Sequence, residues 1–101
     1  MSSNAFVPLY QGTSQIAATA ASARVALAES DERNIEISNA GPDTVFVELG
    51  GSSVAAVAAS GYPILAGQSK VVRNVQKHTY AAAICAATQT ATVYFTCGDG
   101  E

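Results

Sequence analysis

The stretch from Arg33 to Gly50, RNIEISNAGPDTVFVELG, does most to limit what this chain can become. Ile35 and Ile37 alternate with Asn34, Glu36 and Ser38, and Val45, Val47 and Leu49 alternate with Thr44, Phe46 and Glu48. A period of two marks a strand with one face toward an apolar interior. Between the runs lie Asn39, Ala40, Gly41, Pro42 and Asp43, a cluster rich in turn formers. Two such runs joined by a short Gly-containing loop read as a β-hairpin. A turn centred on Gly41 pairs Ile37 with Val45 and Ile35 with Val47. That gathers four β-branched side chains on one face and leaves Glu36, Phe46 and Glu48 on the other. A two-stranded ribbon cannot bury such a face alone, so the rest of the chain must supply a second layer.

A second hairpin is expected from His78 to Cys85 and from Ala91 to Cys97, around a loop of residues 86–90. Centring it on Thr88 pairs Cys85 with Ala91, Ala83 with Val93 and Ala81 with Phe95. Ala82 then meets Tyr94, and Tyr80 meets Thr96, on the opposite face. Bulky residues face alanines, as interdigitated packing prefers. This register holds Cys85 and Cys97 roughly 20 Å apart at strand rise. A disulfide needs Cα atoms within about 7 Å, so both cysteines read as small buried apolar residues. The face with Tyr80, Ile84 and Tyr94 is expected to meet the N-terminal arm, another loop or another subunit.

Residues 1–12 read as an extended arm in which Pro8 interrupts the apolar cluster Phe6, Val7, Leu9 and Tyr10. The arm either folds back over the edge of its own sheet or docks on a neighbouring subunit. Thr13 to Leu27 has the alanine content of a helix. Ala23, Val25 and Leu27 nevertheless alternate with Ser22, Arg24 and Ala26, and no capped 3.6-residue stripe is present. Two strands turning at residues 20–22 are therefore expected. A polar loop covers residues 29–32. Val54 to Ser60 fits a helical turn or a weak strand equally well. Pro63 breaks the following loop, and a tight turn at residues 66–69 leads into a strand from Lys70 to Val75. Arg73 falls on the face of Val71 and Val75, which puts that strand at an edge.

With 101 residues the chain makes a single domain, residues 13–101 following the arm. Its net charge is −3, and charged residues form 13% of it, against about 25% in typical domains. So few charges suit a surface that spends its life against partners. Five Lys and Arg residues argue against a nucleic-acid groove. No charged start leads into a long apolar run, so no signal peptide is expected. Nothing approaches the ~20 apolar residues of a membrane span.

The residues that carry chemistry do not assemble into a motif. His78 is the only histidine, so one chain offers no His-based metal cluster. No nucleophile-elbow pattern accompanies it, and the plain reading is a histidine at the start of a strand. Gly50, Gly51 and Ser52 are not followed by the Gly-Lys-Ser/Thr of a phosphate loop. Asp31, Glu32 and Asp43 read as solvated charges, and residues 98–101 as a frayed polar tail with too few ligands for a metal. No catalytic, cofactor-binding or metal-binding residue is expected, and no enzyme. Phe46 shares its face with Thr44 and Glu48, so it is either a contact residue or covered by a loop or second sheet.

Taken in order, five pieces resemble a group of small bacteriophage virion proteins. They are Asn39 to Gly41 closing one strand, Thr44 to Gly50, the turn Pro63 to Gly67, the alanine strand His78 to Ile84, and the aromatic strand Val93 to Gly100. The resemblance covers about the last two-thirds of the chain. It implies a capsid decoration or cement protein, made in the host cytoplasm and carried on the virion surface, with no catalytic residues. The fold expected is all-β: an antiparallel, jelly-roll-like β-sandwich of seven to eight short strands with an extended N-terminal arm. The expected partners are the major capsid protein and further copies of the chain, a trimer among the arrangements, with no nucleic acid and no membrane. Phe6, Val7, Leu9, Tyr10, Phe46, Tyr62, Tyr80 and Tyr94 are the expected contact residues. Two alternatives stay open: another virion role, such as a head–tail connector or tail-fibre adaptor, and a glycan-binding module using Tyr62, Tyr80 and Tyr94.

Overall fold

The computed structural model describes residues 6–28, 34–74 and 76–99. The expectations for residues 1–5, the polar loop at residues 29–32, Val75 and the last two positions lie outside them. Eight strands follow in order: β1 Val7–Ala18, β2 Ala23–Ala26, β3 Asn34–Pro42, β4 Val45–Gly50, β5 Tyr62–Ile64, β6 Ser69–Arg73, β7 Tyr80–Ile84 and β8 Ala91–Asp99. No helix occurs among the described residues. The strands form two antiparallel four-stranded sheets, ordered β1-β8-β3-β6 and β2-β7-β4-β5. The expected all-β sandwich is therefore present.

Its winding is specific. The first strand pairs with the last, the second with the seventh, the third with the sixth and the fourth with the fifth. Pairing of β3 with β8 and of β4 with β7 then completes the two sheets. A long antiparallel ribbon folded over on itself in this way is a jelly roll. Every connection except β4 to β5 passes from one sheet to the other.

Both hairpins expected from the sequence are corrected by this winding. β3 and β4 lie in different sheets, and so do β7 and β8. Ile37 pairs with Phe95 and Lys70 rather than with Val45. Ala83 pairs with Val47 and Ala23 rather than with Val93. Tyr94 accordingly sits between Gln15 and Ser38, not opposite Ala82. The inward faces survive the correction. Ile35, Ile37, Val45, Val47, Ala81, Ala83, Val93 and Phe95 are all buried in one core. An arch turns its two strands to face each other across the interior, so it buries the same alternating residues that a hairpin would place on one side.

The arches are held by side chains. Asn39 is 2% exposed and fully bonded. Its Nδ2 donates to the carbonyls of Asp43 and Ile64, each at 2.8 Å, and its Oδ1 accepts from the Gly41 N–H at 2.7 Å. The β6-to-β7 arch repeats the device. Buried Asn74 donates from Nδ2 to the His78 carbonyl at 2.9 Å and accepts from the His78 N–H at 2.8 Å. Both arches leave the same sheet, and in both the asparagine bonds the carbonyl four residues on. Satisfying donors and acceptors that the sheet ladder no longer serves is what allows the chain to cross. Asp43, expected to be a solvated charge, instead joins two arches: its carboxylate accepts from the Thr90 N–H at 3.0 Å.

The remaining expectations sort by edge and face. Thr13 to Ala18 and Ala23 to Ala26 are strands with a turn between them, as expected. Val7 to Gly12 open β1: Val7 and Pro8 pair with β8 of their own domain, and residues 9–12 stand outside that pairing. β6 is an edge strand, but Val72 rather than Val71 packs against the core, because β6 takes its register from Ile35 and Ile37. Residues 54–57 are irregular and 58–60 form a turn. Cys85 and Cys97 are buried and form no disulfide. Gly98 and Asp99 continue β8 instead of fraying, since the start of β1 covers them.

Candidate functional site

The two sheets differ in what their outer faces offer. On the sheet of β2, β7, β4 and β5, outward positions include Phe46, Glu48, Tyr80, Ala82 and Ile84, opposite in phase to buried Val47, Ala81 and Ala83. Ala82 points outward yet is 0% exposed. The β4-to-β5 connection explains this. A Cβ on Gly50 would lie 2.8 Å from Val54 Cβ, and one on Gly61 would lie 2.9 Å from Phe46 Cβ. The Ala56 N–H donates to Ser22 Oγ at 2.8 Å, just before β2. The connection thus reaches from β4 across β7 to the β2 edge and returns to β5. Phe46 and Tyr80 are half-buried on this covered face.

The outer face of the other sheet is open. Gln15, Tyr94, Ser38 and Ser69 form one row across β1, β8, β3 and β6, and Thr13, Thr96, Glu36 and Val71 form the next. None of these residues is buried. Hydroxyl pairs lock the rows at both flanks, Thr13 Oγ1 to Thr96 Oγ1 and Ser38 Oγ to Ser69 Oγ, each at 2.9 Å. The result is a field of hydroxyls around one tyrosine, with a single carboxylate in those two rows.

The β1 border of this field is distorted. Between Pro8 and Thr13 the pairing with β8 slips, and four residues of β1 stand opposite Cys97 alone. Leu9 turns inward and packs against the core. Gln11 takes a left-handed φ of 53°, and Gly12 sits where a Cβ would approach Leu9 Cβ at 2.8 Å. Tyr10 is thrown outward and is 90% exposed, with Val7 exposed nearby in sequence. Bulges re-aim side chains in this manner. Phe6 is half-buried, its ring near Gly98.

All four sheet edges are blunted against strand addition. β1 carries Pro8 and the bulge, β5 carries Pro63, β6 carries Lys70 and Arg73, and β2 is four residues long with Arg24. Such devices keep edges from pairing with other chains, so contact by faces is favoured over contact by edges.

A cleft of 310 Å³ lies at the seam where edge strand β6 meets β5 and β4. Ile37, Val47, Leu49 and Val72 give it apolar walls, and Glu48, Tyr62, Arg73, Gln76 and His78 add polar or aromatic groups. Tyr62 is 42% exposed there, separated from Tyr80 and Tyr94. Of the eight expected contact residues, the structure puts Val7, Leu9 and Tyr10 on β1 and Phe6 just before it. It puts Tyr94 on the open face, Phe46 and Tyr80 under the connection, and Tyr62 in the cleft. Among the described residues no group of three His, Cys, Asp or Glu side chains gathers to hold a metal ion, and no helix is long and apolar enough to cross a membrane. No family model, curated protein or solved structure matches this chain.

Proposed function

We propose that this chain is a structural protein of a bacteriophage virion, a decoration or cement protein that binds the outer surface of the head across capsomer junctions. The observation that carries the reading is the open face of β1, β8, β3 and β6. It is open, carries few charges and is bridged by cross-strand hydroxyl pairs, while the opposite face is covered by the chain's own β4-to-β5 connection. A rigid face loses little entropy on docking. Tyr94 supplies a central aromatic anchor of the kind that dominates interface energies, and Tyr10 on its bulge extends the contact at one border. The ordered resemblance of residues 39–100 to small phage virion proteins supports the same assignment.

Such a protein acts through mass action. It gains binding energy only on the assembled shell, so the shell becomes harder to open. Weak contacts suffice when lattice symmetry repeats them and copies self-associate, a trimer at a local threefold being the simplest arrangement. The test is cosedimentation with shells that lack the protein. Tyr94→Ala and Thr92→Lys, Thr92 lying two positions before Tyr94 on β8 and so on the same open face, should each weaken binding by about tenfold or more, with far-UV circular dichroism unchanged. Binding of both variants at the native level would overturn the proposal. So would a copy number of about a dozen per particle, which fits a connector ring rather than a shell.

A further inference from the structure

We infer that the cleft between β6, β5 and β4 binds a carboxylated sugar, a single hexuronic or nonulosonic acid residue. The inference stands independently of the capsid proposal, since it uses a different surface.

Three features define the ligand. The first is charge. Lys70, Arg73 and Lys77 are three of the five Lys and Arg residues in a chain of net charge −3, and His78 is its only histidine. All four fall within nine positions on β6 and the arch that follows it, and Arg73 and His78 line the cleft itself. The side chains of Arg73 and His78 are engaged by no other described residue. A guanidinium left free at the mouth of a cleft is suited to a carboxylate. Glu48 in the same wall disfavours a doubly charged phosphate.

The second feature is shape. Half-buried Leu49 and Val72 give the cleft its accessible apolar wall, and the core residues Ile37 and Val47 back them from behind. The exposed ring of Tyr62 adds an aromatic surface. A sugar has an apolar face of C–H groups that packs on such surfaces, and hydroxyls within reach of Gln76 and Glu48. The cleft volume of 310 Å³ sits at the lower end of the range for ligand pockets, about 300–1,000 Å³. That suits one ring with its substituents rather than an oligosaccharide.

The third feature is rigidity. Gln76 and His78 stand on the arch that Asn74 closes with its two side-chain hydrogen bonds, and the Lys77 N–H also donates to the Asn74 carbonyl at 3.1 Å. Lys77 is held at a left-handed φ of 54°. The rim is therefore set before any ligand arrives, which lowers the cost of binding.

The experiment is an amide chemical-shift titration of the isolated protein with D-glucuronic acid and N-acetylneuraminic acid. D-glucose serves as the neutral control and benzoate as a carboxylate without hydroxyls. At least one sugar acid should shift Tyr62, Arg73, Gln76 and His78 with a Kd of about 1 mM, glucose binding about tenfold more weakly. Arg73→Gln and Tyr62→Ala, both at exposed positions and checked for folding by circular dichroism, should each weaken binding about tenfold. Three results would overturn the inference: no shifts at the cleft with either acid, native affinity in Arg73→Gln, or benzoate binding as tightly as the sugar acids. No viral particle enters the assay, so its outcome is read separately from that of the capsid proposal.

Discussion

Removing the side chain of Asn39 tests how the jelly roll is specified. In Asn39→Ala the backbone bonds at this position remain, because Asn39 N–H donates to the Gln68 carbonyl and the Asn39 carbonyl accepts from the Gly67 N–H. What goes is the side chain's three hydrogen bonds, at 2.7 to 2.8 Å, which tie β3 to the arch and to β5. Each typical bond contributes about 0.5–1.5 kcal/mol net, and a buried group stranded without a partner costs about 1–3 kcal/mol. With the site 2% exposed, water reaches it poorly, and a total near 3 kcal/mol follows from three bonds at about 1 kcal/mol each. For a domain of this size that shifts Tm down by about 12–24 °C, at about 4–8 °C per kcal/mol. Urea denaturation with a common m-value, and calorimetry, read it directly. Ser38→Ala, next to Asn39 on β3, is the matched control: it removes one exposed hydroxyl pair with Ser69 of β6 and should cost about 0.5 kcal/mol or less. If Asn39→Ala lost no more stability than Ser38→Ala, the asparagine would be a passenger and the account of the arch would be refuted.

Two further outcomes follow from the structure. Burial pushes the Cys85 thiol above its ordinary value of 9.0, with the Asp43 carboxylate adding to the shift. The folded state then holds its proton where the unfolded chain releases it, so this contribution is intact below pH 9 and fades as pH rises through the folded value. Unfolding midpoints in urea should fall as pH rises above 9 in the native protein and less so in Cys85→Ala, while thiol reagents at neutral pH should leave Cys85 unmodified until the chain unfolds. Separately, Gly98→Ala would drive a Cβ against the Val7 carbonyl, to 2.8 Å from Phe6 Cζ and 2.9 Å from Pro8 Cα. It should free the start of β1 from β8, seen as faster amide exchange from residue 7 to 12 with the Ile37 and Phe95 amides still protected; unchanged exchange at β1 would contradict the contact.

The same packing shows why function was harder to read than fold. Tyr94 was a contact candidate from its aromatic character, but its hydroxyl-rich setting comes from Gln15, Ser38 and Thr96 on three different strands. Phe46 and Tyr80 look alike in sequence, yet a connection that is neither helix nor strand covers their face. The cleft draws on β3, β4, β5, β6 and the Asn74 arch, so no local spacing announces it.

What the chain determines by itself is the phase of each strand. Period-two alternation of Ile35, Ile37, Val45 and Val47 fixed which side chains face inward, and the core contains them all. Alternation says nothing about the partner across a turn, because a hairpin and an arch bury the same residues. That choice was settled by three-dimensional chemistry: Asn39 reaches carbonyls on both the arch and β5, Asp43 reaches Thr90, and Asn74 reaches His78. Bonds between residues as far apart as Asp43 and Thr90 exist only once the sheets have stacked, which is why the winding of the jelly roll belongs to the tertiary structure alone.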